Sequence, residues 1–284
     1  MIDSQQIADD VTHALTEDMG GGDVSARLIP AEQMMQGRIL ARESCVLAGT
    51  AWAEAAFRRV SNRSLVQWLY SDGDTVPAGS VICTLDGPAR ALLTAERTAL
   101  NFLQTLSGTA TATRAFVDAI SGTSARILDT RKTIPGLRMA QKYAVTCGGG
   151  FNHRLGLYDM VLLKENHIMA AGSITAAVQA SRVINPDVPL EVEVETLDQL
   201  EEALAAGVER ILLDNFDLDG LRTAVDLNDG RAKLEASGNV DISTVRDVAE
   251  TGVDYISIGA ITKHVRAVDL SLRFDPPTDL LAVP

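Results

Sequence analysis

The chain has 284 residues, 46% of them apolar and 22% charged, with a formal charge of −13. That length leaves room for roughly two domains with a buried core. The apolar fraction excludes a disordered chain, and the acidic balance excludes a general nucleic-acid binder, which needs a basic face. No stretch approaches the roughly 18 apolar residues of a membrane-spanning helix, and the start, MIDSQQIADD, has neither the basic nor the apolar region of a secretory signal. Cys45, Cys83 and Cys147 lack CxxC spacing, so they support no disulfide frame or zinc knuckle and fit a reduced cytoplasm.

In chain order, Ser71–Pro88 (SDGDTVPAGSVICTLDGP) is rich in turn residues and predicts short strands in a compact β-rich or α+β module. Its turn pattern is similar to that of lipoyl-type domains, but no lysine precedes Lys132, which removes a carrier role. Thr94 is predicted as the N-cap of a helix ending at Gly108, with a second helix over Thr109–Ile120. From there, short apolar β-branched runs recur at Arg126–Asp129, Met160–Lys164, Leu190–Glu195, Arg210–Asp214, Lys233–Ala236 and Asp254–Ile258. Helical periodicity fills Leu197–Ala206 and Ile242–Glu250, with Gly207 and Gly252 as terminators. Such βα units predict a parallel sheet closing toward a barrel, with six strands read, too few for a complete one. The tail, DPPTDLLAVP, is expected on the surface.

Polar residues gather where these strands end, which is where barrels place their chemistry. Asp129, Arg131 and Lys132 follow the first strand; Lys164, Glu165 and Asn166 follow the second; Asp214 and Asn215 close the fourth; and Glu235, Ser237 and Gly238 lie on the fifth. In LEVEVET, period-2 geometry puts Glu191, Glu193 and Glu195 on one face, toward the barrel interior. Buried carboxylates need compensation, for which Arg131, Lys132, Lys164 or a divalent metal are candidates. Glu191, the deepest, fits an internal salt-bridge ladder, and Glu193, nearer the mouth, a functional role. Residues 131–164 carry six basic residues (Arg131, Lys132, Arg138, Lys142, Arg154, Lys164) against Asp159 alone, which points to an anionic small molecule. Ser237-Gly238-Asn239 and Gly259-Ala260 end the last two strands with small residues, as a phosphate cradle requires. His13 and His264 read as surface residues and His167 as a helix-entry residue. Carboxylates such as Glu193 and Asp214 suit Mg²⁺ better than zinc.

TAERTALNFLQTLSGTAT (94–111), DTRKTIPGLRMAQKYAVTCGGGFNHRLGLYDMVLLKENHI (129–168), EVEVET (191–196), LLDNF (212–216), EASGNV (235–240) and ISIGAIT (256–262) resemble the quinolinate phosphoribosyltransferase family. The resemblance runs from about residue 10 to 274. It implies an N-terminal α/β sandwich domain (1–110, joined by 266–284) and an incomplete α/β barrel (111–265). It implies transfer of phosphoribose from 5-phosphoribosyl 1-pyrophosphate to quinolinate, with release of pyrophosphate and CO₂, giving nicotinate mononucleotide for NAD biosynthesis. Carried over by residue, Arg131, His153 and Arg154 match the quinolinate carboxylate pocket, with Lys132 beside them. Arg97 matches an arginine supplied by the adjacent subunit of a homodimer or larger assembly. Lys164, Glu193 and Asp214 match positions near ribose, pyrophosphate and Mg²⁺, and Ser237, Gly238 and Gly259 the 5′-phosphate cradle. Lys132, Glu193 and Asp214 are the expected catalytic residues. Lys263, followed by His264, stands where many members have histidine. Competing readings are a Schiff-base barrel enzyme using Lys164, a molybdenum-associated paralogue, and a non-catalytic binding barrel.

Overall fold

Strands of three to five residues bounded by capped helices can bury both faces of a parallel sheet, and this alternation governs the second half of the molecule. The computed structural model describes residues 3–275. Along the chain run α1 (Ser4–Met19), β1 (Met34–Ala41), β2 (Cys45–Val46), α2 (Thr50–Val60), β3 (Leu65–Trp68), β4 (Thr75–Val76), β5 (Val81–Pro88) and α3 (Ala89–Ala119). There follow β6 (Arg126–Leu128), α4 (Arg138–Cys147), β7 (Val161–Leu163), α5 (Glu165–Ala171), α6 (Ile174–Ile184), β8 (Leu190–Val194) and α7 (Leu197–Ala205). The chain continues through β9 (Arg210–Asp214), α8 (Leu218–Asn228), β10 (Lys233–Ser237), α9 (Val245–Ala249), β11 (Tyr255–Ser257), α10 (Ala260–Lys263) and β12 (Leu270–Phe274).

The first unit comprises residues up to Ala112, Ile134–Gly149 and the segment from His264. Its antiparallel sheet has the order β12-β1-β5-β3, with β2 and β4 forming a separate pair. Helices pack on it through one core that takes Ile39 and Leu85 from strands, Trp52 and Phe57 from α2, and Leu100 and Leu103 from α3. Two expectations change here. Thr94 caps no helix: α3 is continuous, and the Thr94 hydroxyl lies 2.8 Å from the Arg90 carbonyl one turn back. Gly108 is likewise internal, because an added Cβ would sit 2.2 Å from the Arg266 carbonyl oxygen. The glycine there marks a close backbone approach, a signal a sequence cannot separate from a helix stop. Residues 134–149, assigned to the barrel by sequence, cluster with the first unit, since Ala140 and Ala144 of α4 join its core and Gln141 accepts the Ile134 N–H at 2.8 Å.

The second unit, Thr113–Thr133 and Gly150–Lys263, holds a six-stranded parallel sheet ordered β6-β11-β10-β9-β8-β7. Among the described residues β6 and β7 do not pair, so the barrel is incomplete, and Phe151 makes a single parallel bridge to Leu128 beside that edge. All six predicted strands form, within a residue or so at either end. Helix entry follows local chemistry: Ser173, Thr196 and Asp217 accept the backbone N–H of Ala176, Gln199 and Gly220, capping α6, α7 and α8. The helix expected over Ile242–Glu250 shortens to α9 because the Asp241 carboxylate first takes the N–H groups of Ser243 and Thr244 in a turn. Among the described residues, no helix is long and apolar enough to cross a membrane. Residues 276–284 of the expected surface tail lie outside the described residues.

Candidate active site

The strands β6 to β11 deliver their C-terminal residues to one cavity of about 340 Å³ in the second unit. Arg131, Lys132, His153, Arg154, Lys164, Glu193, Asp214 and Ser237 all line it. Four of the six basic residues of 131–164, Arg131, Lys132, Arg154 and Lys164, therefore share one space. Arg138 and Lys142, the other two, lie on α4 in the first unit, and Lys142 is buried there. Gly238 lines a neighbouring groove with Asn239 and the start of α8. Arg97 is an exposed residue of α3 in the first unit, and Lys263 an exposed residue of α10.

Buried Asp129, just past β6, organises the mouth. Its carboxylate accepts the His153 N–H at 2.9 Å and the Asn152 Nδ2 at 2.7 Å, which ties the 150–154 segment to the strand end. Arg131 has a buried Nε without a hydrogen-bond partner. A guanidinium N–H left unsatisfied in a cavity is costly unless an anion fills it. Burial and the nearby Arg131 both lower the Arg154 pKa, so an anion between the two guanidiniums would relieve both effects. The Lys132 carbonyl accepts from Thr262 at 2.9 Å, and its side chain passes Gly259 so closely that a Cβ there would meet Lys132 Cδ at 2.9 Å.

Lys164 precedes α5, where its backbone N–H donates to Nδ1 of His167 at 3.0 Å, which makes His167 the helix-entry residue expected. The Lys164 ammonium pairs with the Glu193 carboxylate. Asp214 ends β9, accepting from Asn215 Nδ2 at 2.8 Å. Asn215 takes a left-handed φ of 59°, and Gly238 a φ of 111°. A Cβ at 238 would fall 2.3 Å from the Asn215 Oδ1, so the turns after β9 and β10 interlock. Ser237 and Gly238 there form a surface of small residues suited to phosphate oxygens.

Beneath the cavity lies a polar cluster that sequence resolved only in part. Glu191 and Glu235 are fully buried, and the guanidinium of Arg210 serves both: Nε reaches Glu191 Oε1 at 2.9 Å and one terminal nitrogen reaches Glu235 Oε2 at 2.5 Å. Glu191 is therefore a rung of an internal ladder, as expected, and the side chains that pair with it are Arg210 and His153, not Arg131, Lys132 or Lys164. Arg210 stands directly opposite Glu191 on the adjacent strand, which gives it the shortest reach. It also stacks on Tyr255, its guanidinium carbon 4.7 Å from the ring centre. An arginine opening a strand beside a glutamate ladder was the missed signal. Burial alone would raise the Glu191 pKa, yet the close contacts and charge of His153 and Arg210 hold it below the ordinary value. Burial and the Glu191 charge push Glu235 up to about 7. Glu195 is exposed beyond the strand end and lines a separate hollow with Glu165 and Gln199.

For a metal, the fit is of a particular kind. Among the described residues, only His153, Glu191 and Glu235 bring three donors within 4.8 Å of one another, and Arg210 already engages both carboxylates. Glu193 and Asp214 supply a pair of hard oxygen donors at the mouth, which suits an ion that also takes ligand oxygens and water.

An open α/β barrel with cations and carboxylates at its strand ends defines an enzyme that handles a polyanionic small molecule. The N-terminal domain model of quinolinate phosphoribosyl transferase matches residues 10–107 and the C-terminal domain model residues 109–273. The carboxylating nicotinate-nucleotide pyrophosphorylase of Mycobacterium leprae is 45% identical over 93% of this chain and 95% of its own. The probable counterpart in Bacillus subtilis is 42% identical over 92% and 91%. The structure of nicotinate-nucleotide pyrophosphorylase from Francisella tularensis superposes with a TM-score of 0.95 at 45% identity, covering 97% of this chain and 98% of that one. The chain belongs to the quinolinate phosphoribosyltransferase family.

Proposed function

We infer that the protein transfers phosphoribose from 5-phosphoribosyl 1-pyrophosphate to the nitrogen of quinolinate, with loss of the C2 carboxylate as CO₂. The products are nicotinate mononucleotide, pyrophosphate and CO₂, in the de novo route to NAD. The observation that carries this reading is the cluster of Arg131, Lys132, Arg154 and Lys164 around one cavity in a protein of charge −13. Two adjacent carboxylates and a phosphorylated sugar need that positive potential.

In this reading Arg131 and Arg154 hold the two carboxylates, with Arg131 Nε finding the acceptor it lacks. Ser237, Gly238 and Gly259 cradle the 5′-phosphate, and Lys164 meets the pyrophosphate. As pyrophosphate leaves, positive charge develops on the ribose, and the carboxylates of Glu193 and Asp214 stabilise it. Mg²⁺, held by Glu193 and Asp214 together with substrate oxygens, would screen the pyrophosphate charge. After ribosylation the positive pyridinium nitrogen stabilises the electron pair left at C2 when CO₂ departs, Lys132 adds to that stabilisation, and C2 takes up a proton from solvent to give nicotinate mononucleotide. Arg97 completes the site of a neighbouring subunit in a homodimer or larger assembly, and the enzyme works in the cytoplasm.

The test is incubation with quinolinate, 5-phosphoribosyl 1-pyrophosphate and Mg²⁺, following CO₂ and the mononucleotide together. Equal yields of both are expected, with nicotinate inactive in place of quinolinate because it leaves one guanidinium unpaired. Mononucleotide formed from nicotinate without CO₂ would overturn the reading.

A further inference from the structure

His153 lines the cavity, yet its two ring nitrogens are both directed elsewhere. Nδ1 accepts the backbone N–H of Arg154 at 2.7 Å. Nε2 lies 2.9 Å from Glu191 Oε2 and 3.5 Å from Glu235 Oε1, close electrostatic contacts rather than aligned hydrogen bonds, and these two buried oxygens have no other hydrogen-bond partner. An imidazole nitrogen that accepts a hydrogen bond carries a lone pair, so the ring proton belongs on Nε2, facing the carboxylates. The carboxylates are themselves fixed from behind, since Arg210 bonds the other oxygen of each. The chain of contacts thus runs from Arg210 through the glutamate pair to the imidazole, and from the imidazole to the main chain of Arg154. Asp129 clamps the same turn by accepting the His153 N–H.

We propose that His153 is a positioning residue: held as its Nε2-protonated tautomer by Glu191 and Glu235, it fixes the Arg154 main chain and so aims the Arg154 guanidinium into the cavity, without offering a nitrogen to the ligand. This rests on the reading of the cavity as a dicarboxylate site. It leaves the grip on the ligand to guanidinium and ammonium groups, and gives Glu191 and Arg210, with Glu235 at the cavity wall, a role in binding that acts through His153.

The test uses the full chain and two independent readouts. The four histidines are few enough for ¹⁵N NMR of imidazole-labelled protein, with the His153 signals assigned by their loss in a variant. Without ligand at neutral pH, His153 should show a protonated Nε2 and an accepting Nδ1, and saturating quinolinate should leave that pattern in place. In calorimetry, His153→Asn keeps an acceptor for the Arg154 N–H and should bind quinolinate within about threefold of the parent, whereas His153→Ala and His153→Gln, which lose it, should weaken binding about tenfold or more. Glu191→Gln should weaken binding similarly and disturb the tautomer. The proposal is overturned by a protonated Nδ1 in the unliganded protein, by a switch of tautomer on binding, or by His153→Asn binding as poorly as His153→Ala. If the parent protein bound no quinolinate, the substrate reading would fail instead, and the tautomer measured without ligand would still decide the assignment of the ring proton.

Discussion

The first unit encloses a cavity of about 610 Å³ beside α1, α3 and the 135–137 turn, while the barrel cavity measures about 340 Å³. The larger one has Asp9, Asp10, Glu17 and Asp18 on its rim, Phe102 and Leu106 within it, and neither lysine nor arginine among its described lining residues. The smaller one sits at strand ends and carries four cationic side chains with two carboxylates at its mouth. Size therefore does not pick out the proposed active site here. What distinguishes the smaller one is a concentration of cations in an otherwise acidic molecule, offset only in part by the Lys164–Glu193 pair.

This contrast breaks most readily at the arginines. Arg154→Ala should lower kcat/KM for quinolinate by about 100-fold or more, since charge-assisted hydrogen bonds to a carboxylate are lost. Unchanged kinetics would remove the anion site. Lys132→Ala should reduce turnover by about 100-fold with little change in quinolinate affinity by calorimetry, the pattern of a group that acts mainly in the transition state. Equal losses in affinity and turnover would instead make Lys132 a binding residue.

In the first unit the corresponding sensitivity is to packing. Gly108→Ala forces a methyl against the Arg266 carbonyl and should destabilise the protein by about 3 kcal/mol, measured by urea unfolding. A pH effect separates the units more finely. Glu235 keeps its proton to about pH 7 when folded but releases it near the ordinary 4.5 when unfolded. The folded state holds the extra proton in that window, so this group's contribution to stability falls as pH rises from about 4.5 to 7. Glu235→Gln cannot ionise, and its stability relative to the parent should rise across pH 5 to 7; a constant difference would contradict the assignment. Smallest of all, Glu17→Gln at the rim of the larger cavity should change turnover less than about twofold, within the range of ordinary surface substitutions.

Much of this was legible from residues alone. The six parallel strands, the gathering of Arg131, Lys132, Arg154, Lys164, Glu193 and Asp214 at their ends, and the deep placement of Glu191 followed from period-2 alternation and from the rule that barrel chemistry lies at strand C-termini. The continuous α3 was not legible, because Gly108 answers to the Arg266 carbonyl, more than 150 positions away. Nor was α4, whose alanines pack in the first unit although strands of the second flank it in sequence.

Sequence by itself determined which groups carry charge and which face of each strand they occupy, since both are fixed by residue type and local backbone period. Tertiary structure decided the partners: Arg210 for Glu191 and Glu235, Asp129 for the His153 turn, and the Arg154 main chain for the imidazole. Hydrogen bonds and ion pairs fall away within a few ångströms, so only the register between neighbouring strands, which no local pattern encodes, could choose among the available ions.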